Sequence, residues 1–205
     1  MSFTTFLLAA TVLAITPGPG LAYVVARTVA GGRAEGLASC CGTALGGLLH
    51  VVAAALGLSL LIAQSAMAFN LLKYLGAAYL VYLGIRMLVR GQGVDAVTPA
   101  AALGSRRALL EGLVVEALNV KTALFFLAFL PQFGAPGPTM AVQLALLGCI
   151  CVALNTLVDV AAVRGAAQWA RPGAARLARA RLLQRVSGGT MIGLGAFLAL
   201  ARRGN

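Results

Sequence analysis

Apolar residues in this chain come in long blocks, and most of the charges fall in the gaps between them. The blocks run about Phe3–Ala26, Leu37–Ala63, Leu71–Val89, Leu109–Pro131, Met140–Val163 and Leu182–Ala201. A bilayer core of about 30 Å takes roughly 20 helical residues to cross, and a helix satisfies its own backbone away from water. The pattern therefore predicts an all-α integral membrane protein with six transmembrane helices, forming a single membrane domain over residues 1–205. Its halves, about 1–92 and 105–205, are joined by a basic cytoplasmic loop. Three spans is an odd number, so the second half enters upside down relative to the first, which predicts two inverted three-helix repeats. Lys73, Gly76 and Leu83-Gly84 align faintly with Arg185, Gly188 and Leu194-Gly195, with a one-residue slip. The sixth block is the weakest, because Arg185 shortens its uncharged run before Arg202.

Charge sets the orientation. Arg27 and Arg33 lie in the first connection, Arg90, Arg106 and Arg107 in the third, and Arg164, Arg171, Arg176, Arg179 and Arg181 in the fifth, whereas the N-terminus and the second and fourth connections carry no Lys or Arg. Cytoplasmic loops retain Lys and Arg, so the odd connections are expected in the cytoplasm and the N-terminus in the periplasm. Arg202 and Arg203 fall on the other side. The run Arg171-Pro172-Gly173 to Arg185 reads either as a charged loop or as an interfacial stretch drawn to anionic lipid.

Composition narrows the class. Hydrophobic residues make up 60% of the chain, with 25 Gly among 205 residues, and charged residues make up 10%. Soluble domains carry about 25% charged residues, so water would not hold this surface. Net charge is +11, but its placement between apolar blocks fits the membrane bias rather than nucleic-acid binding. Cys40, Cys41, Cys149 and Cys151 sit inside apolar blocks with no C-x-x-C spacing and read as packing residues. No charged region precedes the first block, so that block is expected to be a span and not a cleaved signal. No cofactor or metal is expected, and no G-x-x-x-x-G-K-[ST] phosphate loop occurs.

Two interruptions at membrane depth carry the candidate chemistry. Thr16-Pro17-Gly18-Pro19-Gly20 breaks the first block. Its prolines remove backbone donors, leaving carbonyls near residues 13 to 16 without their normal partners. Such backbone survives in a membrane only when packed in protein or lining a cavity, and broken helices build solute sites in transporters. A simple kink is the plainer reading. The fourth block holds Glu116, Asn119 and Lys121. A charge at the bilayer centre costs about 2.5–3.5 kcal/mol, so Lys121 is expected to be buried against Glu116, Asp159 or a solute carboxylate. Asn155 and Asp159 share a helix face. Asp159, Glu116 and His50 are the proton-coupling candidates, with an interfacial acid and a packing histidine as the alternatives for Asp159 and His50. Gly42 with Gly46, and Gly189 with Gly193, have the spacing of close helix contacts.

Together these residues resemble the LysE/RhtB family of amino-acid exporters along essentially the whole chain. The resemblance rests on Thr16-Pro17-Gly18-Pro19, on Gly36, Gly42, Gly46 and His50 leading to Gly57-Leu58, and on Leu72-Lys73, Gly76-Ala77, Tyr79-Leu80 and Leu83-Gly84. It continues through Gly112, Asn119, Lys121, Phe125-Phe126 and Pro131-Gln132-Phe133 to Ser187-Gly188 and Gly193-Leu194-Gly195. It implies a six-helix bacterial plasma-membrane translocator, not an enzyme, that expels amino acids or analogues using the proton gradient, with Thr16, Pro17, Gly18, Pro19, Gly20, Asn119 and Lys121 near the solute. That family carries Asn-Pro-Lys where this chain has Asn119-Val120-Lys121, which leaves open whether the fourth helix breaks. The expected partners are an amino-acid-like solute, protons and the lipid bilayer, with a homo-oligomer left open and no nucleic acid. The competing classes are a metal-ion exporter, which needs convergent His and Cys ligands, and a membrane thiol–disulfide carrier, which needs a reactive cysteine pair.

Overall fold

The computed structural model describes residues 2–58, 66–90, 102–134, 137, 139–169 and scattered positions between 185 and 200. Half of the expected span Leu182–Ala201 and the whole basic run Arg171 to Arg181 lie outside the described residues. Among the described residues every regular element is helical.

Helix α1, Phe3–Ile15, is capped at its start by the Ser2 hydroxyl, which accepts from the Thr5 N–H. It stops at Thr16, where the backbone turns extended (φ −73°, ψ 114°). Gly18 is also extended (φ −134°, ψ −175°), and α2 begins at Pro19, a first helical position where the missing N–H costs nothing. The break predicted from the prolines is thus a true interruption. At 13 residues α1 is only about 20 Å long and does not span a bilayer alone.

Helix α2, Pro19–Ala53, is folded at Gly32, whose φ of 77° other residues adopt reluctantly. Gly20 and Thr43 would be about 35 Å apart along a straight helix, yet a Cβ placed on Gly20 lies 3.7 Å from Thr43 Cγ2. The two arms therefore form a hairpin. The expected loop around residues 27–36 is a tight helical corner in which Arg27 and Glu35 are both buried and ion-paired at 3.9 Å.

The chain continues through a π-helical turn, Ala54–Leu58, and then α3, Ala66–Arg90. Next come α4, Ser105–Ala117, and α5, Val120–Leu124, which runs on as a π turn over Phe125–Phe129 and a 3-10 turn over Leu130–Phe133. Helix α6 is Met140–Trp169. Among the described residues two stretches, Pro19–Gly57 and Met140–Gly165, are sufficient by length and composition to cross a membrane, or three if α4 and the Val120–Phe133 segment, bent by 43°, count as one span.

The fourth block therefore breaks even without a proline. Leu118 (φ −92°, ψ 6°) ends α4, and Asn119 (φ −74°, ψ 101°) starts α5, its side chain accepting from the Lys121 N–H at 3.1 Å. Asparagine at a helix N-cap supplies the stop-and-restart signal that proline supplies elsewhere.

Helix α2 packs most extensively on α4. Gly42 and Gly46 permit this: a Cβ on Gly42 would strike the Leu109 carbonyl, and one on Gly46 would stand 2.7 Å from the Leu113 carbonyl. The Gly189 and Gly193 pair has nothing within 4 Å among the described residues, so there it makes no such close contact. The apolar core lies around Phe6, Leu13, Phe125, Phe126, Phe129 and Leu144.

Candidate functional site

The two broken helices lie side by side and antiparallel. Phe6 meets the Phe133 ring at 5.5 Å, Lys121 reaches Leu13 and Thr16, a Cβ on Gly20 would stand 2.5 Å from Glu116 Oε2, and the Tyr23 hydroxyl donates to the Ala108 carbonyl at 3.1 Å. One residue number rises as the other falls, so the two breaks sit level with each other.

At that level Lys121 Nζ donates to the Leu13 carbonyl at 3.1 Å and the Thr16 carbonyl at 2.8 Å. The cause is written in the sequence. The Leu13 carbonyl would ordinarily bond the N–H of residue 17, which is proline, and the Thr16 carbonyl would bond Gly20 if the helix continued. Of the acids expected to partner Lys121, neither Glu116 nor Asp159 forms a salt bridge with it; its direct partners are these orphaned carbonyls.

Glu116 is bonded within its own broken helix and lies against the other. Its Oε1 accepts from the Thr122 hydroxyl at 2.6 Å and its Oε2 from Asn119 Nδ2 at 2.9 Å, close against the start of α2 at Gly20. A glutamate near the end of α4 and a lysine at the start of α5 oppose the dipoles of their own helices. Each is favourably placed against the other broken helix: Lys121 at the negative end of α1, Glu116 at the positive ends of α2 and α5.

Around these groups lies a small cavity of about 30 Å³. That is room for a couple of waters, not an amino acid. Gly18, Gly20, Asn119, Lys121, Glu116 and Asp159 line it, along with Thr43, Thr122, Asn155 and Thr156. Asp159, buried on α6, accepts from the Thr43 hydroxyl at 2.9 Å. His50 stands behind Glu116, its Nε2 2.9 Å from the Glu116 carbonyl; a carbonyl only accepts, so that nitrogen carries the proton. The Thr16 hydroxyl turns back to the Val12 carbonyl at 2.6 Å, leaving its own carbonyl for Lys121. Pro17 is half-buried and Pro19 exposed; both shape the break without lining the cavity.

Sequence reading missed Thr43 and Thr122. Thr43 was findable as part of a stripe of small and polar residues, Ser39, Thr43, Gly46, Gly47 and His50, at helical spacing. Also missed was a polar cluster where α4 meets the corner of α2. There Glu35 Oε1 accepts from the Leu103 and Gly104 N–H groups at 2.7 Å each, and the Tyr23 hydroxyl lies 3.2 Å from Glu111, which also pairs with Arg107 at 2.9 Å. Opposite it, beyond the breaks, the rings of Phe6, Phe133, Phe129 and Phe125 pack in succession at 4.8–5.5 Å. The four cysteines are unbridged, Cys40 and Cys151 buried, Cys41 and Cys149 exposed. Among the described residues no three His, Cys, Asp or Glu side chains converge on a point that could hold a metal ion.

Comparison with known proteins gives a consistent result. Residues 11–202 match the model of the family described as LysE type translocator. The homoserine/homoserine lactone efflux protein of Salmonella typhimurium is 30% identical over 200 residues, covering 96% of this chain and 95% of the relative. An uncharacterized membrane protein of Vibrio cholerae is 30% identical over 197 residues, 96% of each chain. The leucine efflux protein of Salmonella choleraesuis is 30% identical over 139 residues, 65% of this chain and 63% of the relative. No solved structure matches the chain.

Proposed function

The chain belongs to the LysE type translocator family, and on that premise we propose that it is a secondary transporter exporting amino acids or close analogues across the bacterial plasma membrane in exchange for protons. The observation that carries this reading is the meeting of two antiparallel broken helices at one polar cavity, with Lys121 bonded across to the first and Glu116 lying against it at Gly20. Half-helix ends at mid-depth offer what a zwitterion needs, with donors for its carboxylate and acceptors for its ammonium. Relatives named for homoserine and leucine efflux support the solute class.

In this reading the solute lies between Gly18, Gly20, Asn119 and Lys121 once the cavity widens, and the breaks at Thr16, Pro17 and Pro19 supply the opening. Asp159 is the better-placed proton carrier. Both Glu116 oxygens are taken by Asn119 and Thr122, whereas Asp159 holds one side-chain bond, from Thr43. The antiparallel pairing of the broken helices is what two inverted three-helix repeats would produce, with six spans in all and the N-terminus in the periplasm.

Growth on toxic amino-acid analogues tests the direction and the class together. Cells overproducing the protein should tolerate the analogues better, since export lowers their internal concentration. Greater sensitivity would mean import, and protection against toxic metals alone would turn the reading toward a metal exporter.

A further inference from the structure

Broken membrane helices present unwound carbonyls at their C-terminal ends, and such carbonyls commonly coordinate a cation at mid-depth. In this chain that seat is filled from within. Pro17 deprives the Leu13 carbonyl of its donor and the break deprives the Thr16 carbonyl of its own, and Lys121 Nζ bonds both, at 3.1 and 2.8 Å. The fit is close. A Cβ on Gly18 would stand 3.1 Å from both Lys121 Cε and Nζ, so the end of the lysine rests on the bare backbone of the break. The ammonium is also in contact with no carboxylate, since among the described residues Lys121 forms no salt bridge.

Resting on the exporter reading of this cavity, we propose that Lys121 is a tethered cation, holding the Leu13 and Thr16 carbonyls in the seat a free alkali cation would otherwise occupy, so that transport needs no sodium. Lys121 is then a positioning residue for the first break. Removing its side chain exposes two convergent carbonyls beside a polar cavity, a seat open to a small monovalent cation or to an alkylammonium that replaces the lost segment. Propylammonium supplies the three carbons and the nitrogen that Lys121→Ala deletes.

The test uses full-length protein reconstituted in liposomes, with choline chloride exchanged for sodium or propylammonium chloride at equal ionic strength. Wild-type export should be indifferent to the exchange. Lys121→Ala should lose about tenfold or more in choline, as expected for the loss of two charge-assisted bonds, and recover as either cation is added. The melting temperature of purified Lys121→Ala should rise with the same cations while that of wild type does not. Lys121→Arg, which keeps a charge on a longer stem, should melt at a temperature that neither cation moves. Sodium dependence of wild-type export, full export by Lys121→Ala in choline, melting of that variant unmoved by either cation, or melting of Lys121→Arg raised by either would each overturn the proposal. The melting measurement involves no transport, so its failure is distinct from failure of the exporter reading.

Discussion

At the scale of single residues, the site depends on what glycine leaves out. A Cβ on Gly20 would stand 2.5 Å from Glu116 Oε2, so Gly20→Ala must displace the carboxylate from Asn119 and Thr122 or push α2 away. Overpacking of this kind costs about 1–3 kcal/mol. Gly20→Ala is expected to insert but to melt lower and export poorly, which thermal unfolding and analogue-resistance growth will show. Asp159→Asn makes a different prediction. Asparagine can still accept from Thr43 but cannot carry a proton, so the variant should keep solute exchange across proteoliposomes yet lose export driven by a pH gradient. Loss of both activities together in a stably folded variant would instead assign Asp159 to solute binding. The sequence exposed Gly18, Gly20, Asn119 and Lys121 because interruptions and charges inside apolar blocks stand out. The prolines marked the orphaned carbonyls near residues 13 to 16, but not that Lys121, more than 100 positions along the chain, bonds them.

At the scale of elements, the two breaks were legible to different degrees. Prolines announce the first. The second is made by Asn119, whose capping bond to the Lys121 N–H ends one helix and begins the next. Val120 occupies the first position of α5, where an N–H has no intrahelical partner and proline is at home. Val120→Pro should therefore insert and export normally. It should also raise stability by about 0.4–1 kcal/mol by restricting the unfolded chain, and a lower melting temperature would show that the break is not the one described. The corner at Gly32 was not legible. Apolar blocks separated by arginines suggested a loop, whereas a single positive-φ glycine folds continuous helix back on itself, with Arg27 buried against Glu35. Hydropathy thus located apolar helical segments, with ends several residues off.

At the scale of the whole molecule, two sets of contacts flank the level of the breaks. Tyr23, Glu35 and Glu111 tie α2 to the α4 region on one side, and Phe6, Phe125, Phe129 and Phe133 pack on the other. Alternating access would loosen these contacts in turn around the fixed breaks. The arginine asymmetry predicts which side is which. Cysteines placed at Gly134 and Arg33 should react with an impermeant maleimide from outside and only after permeabilisation, respectively, and the reverse pattern would invert the orientation. Whether amino acids cross where the two broken helices meet is decided by radiolabelled homoserine and leucine in proteoliposomes under an imposed pH gradient, comparing wild type with Lys121→Met at equal reconstituted amounts. Wild type should accumulate at least one of them under the gradient's drive, and Lys121→Met neither. Accumulation of neither by wild type, or equal accumulation by the variant, would contradict this route.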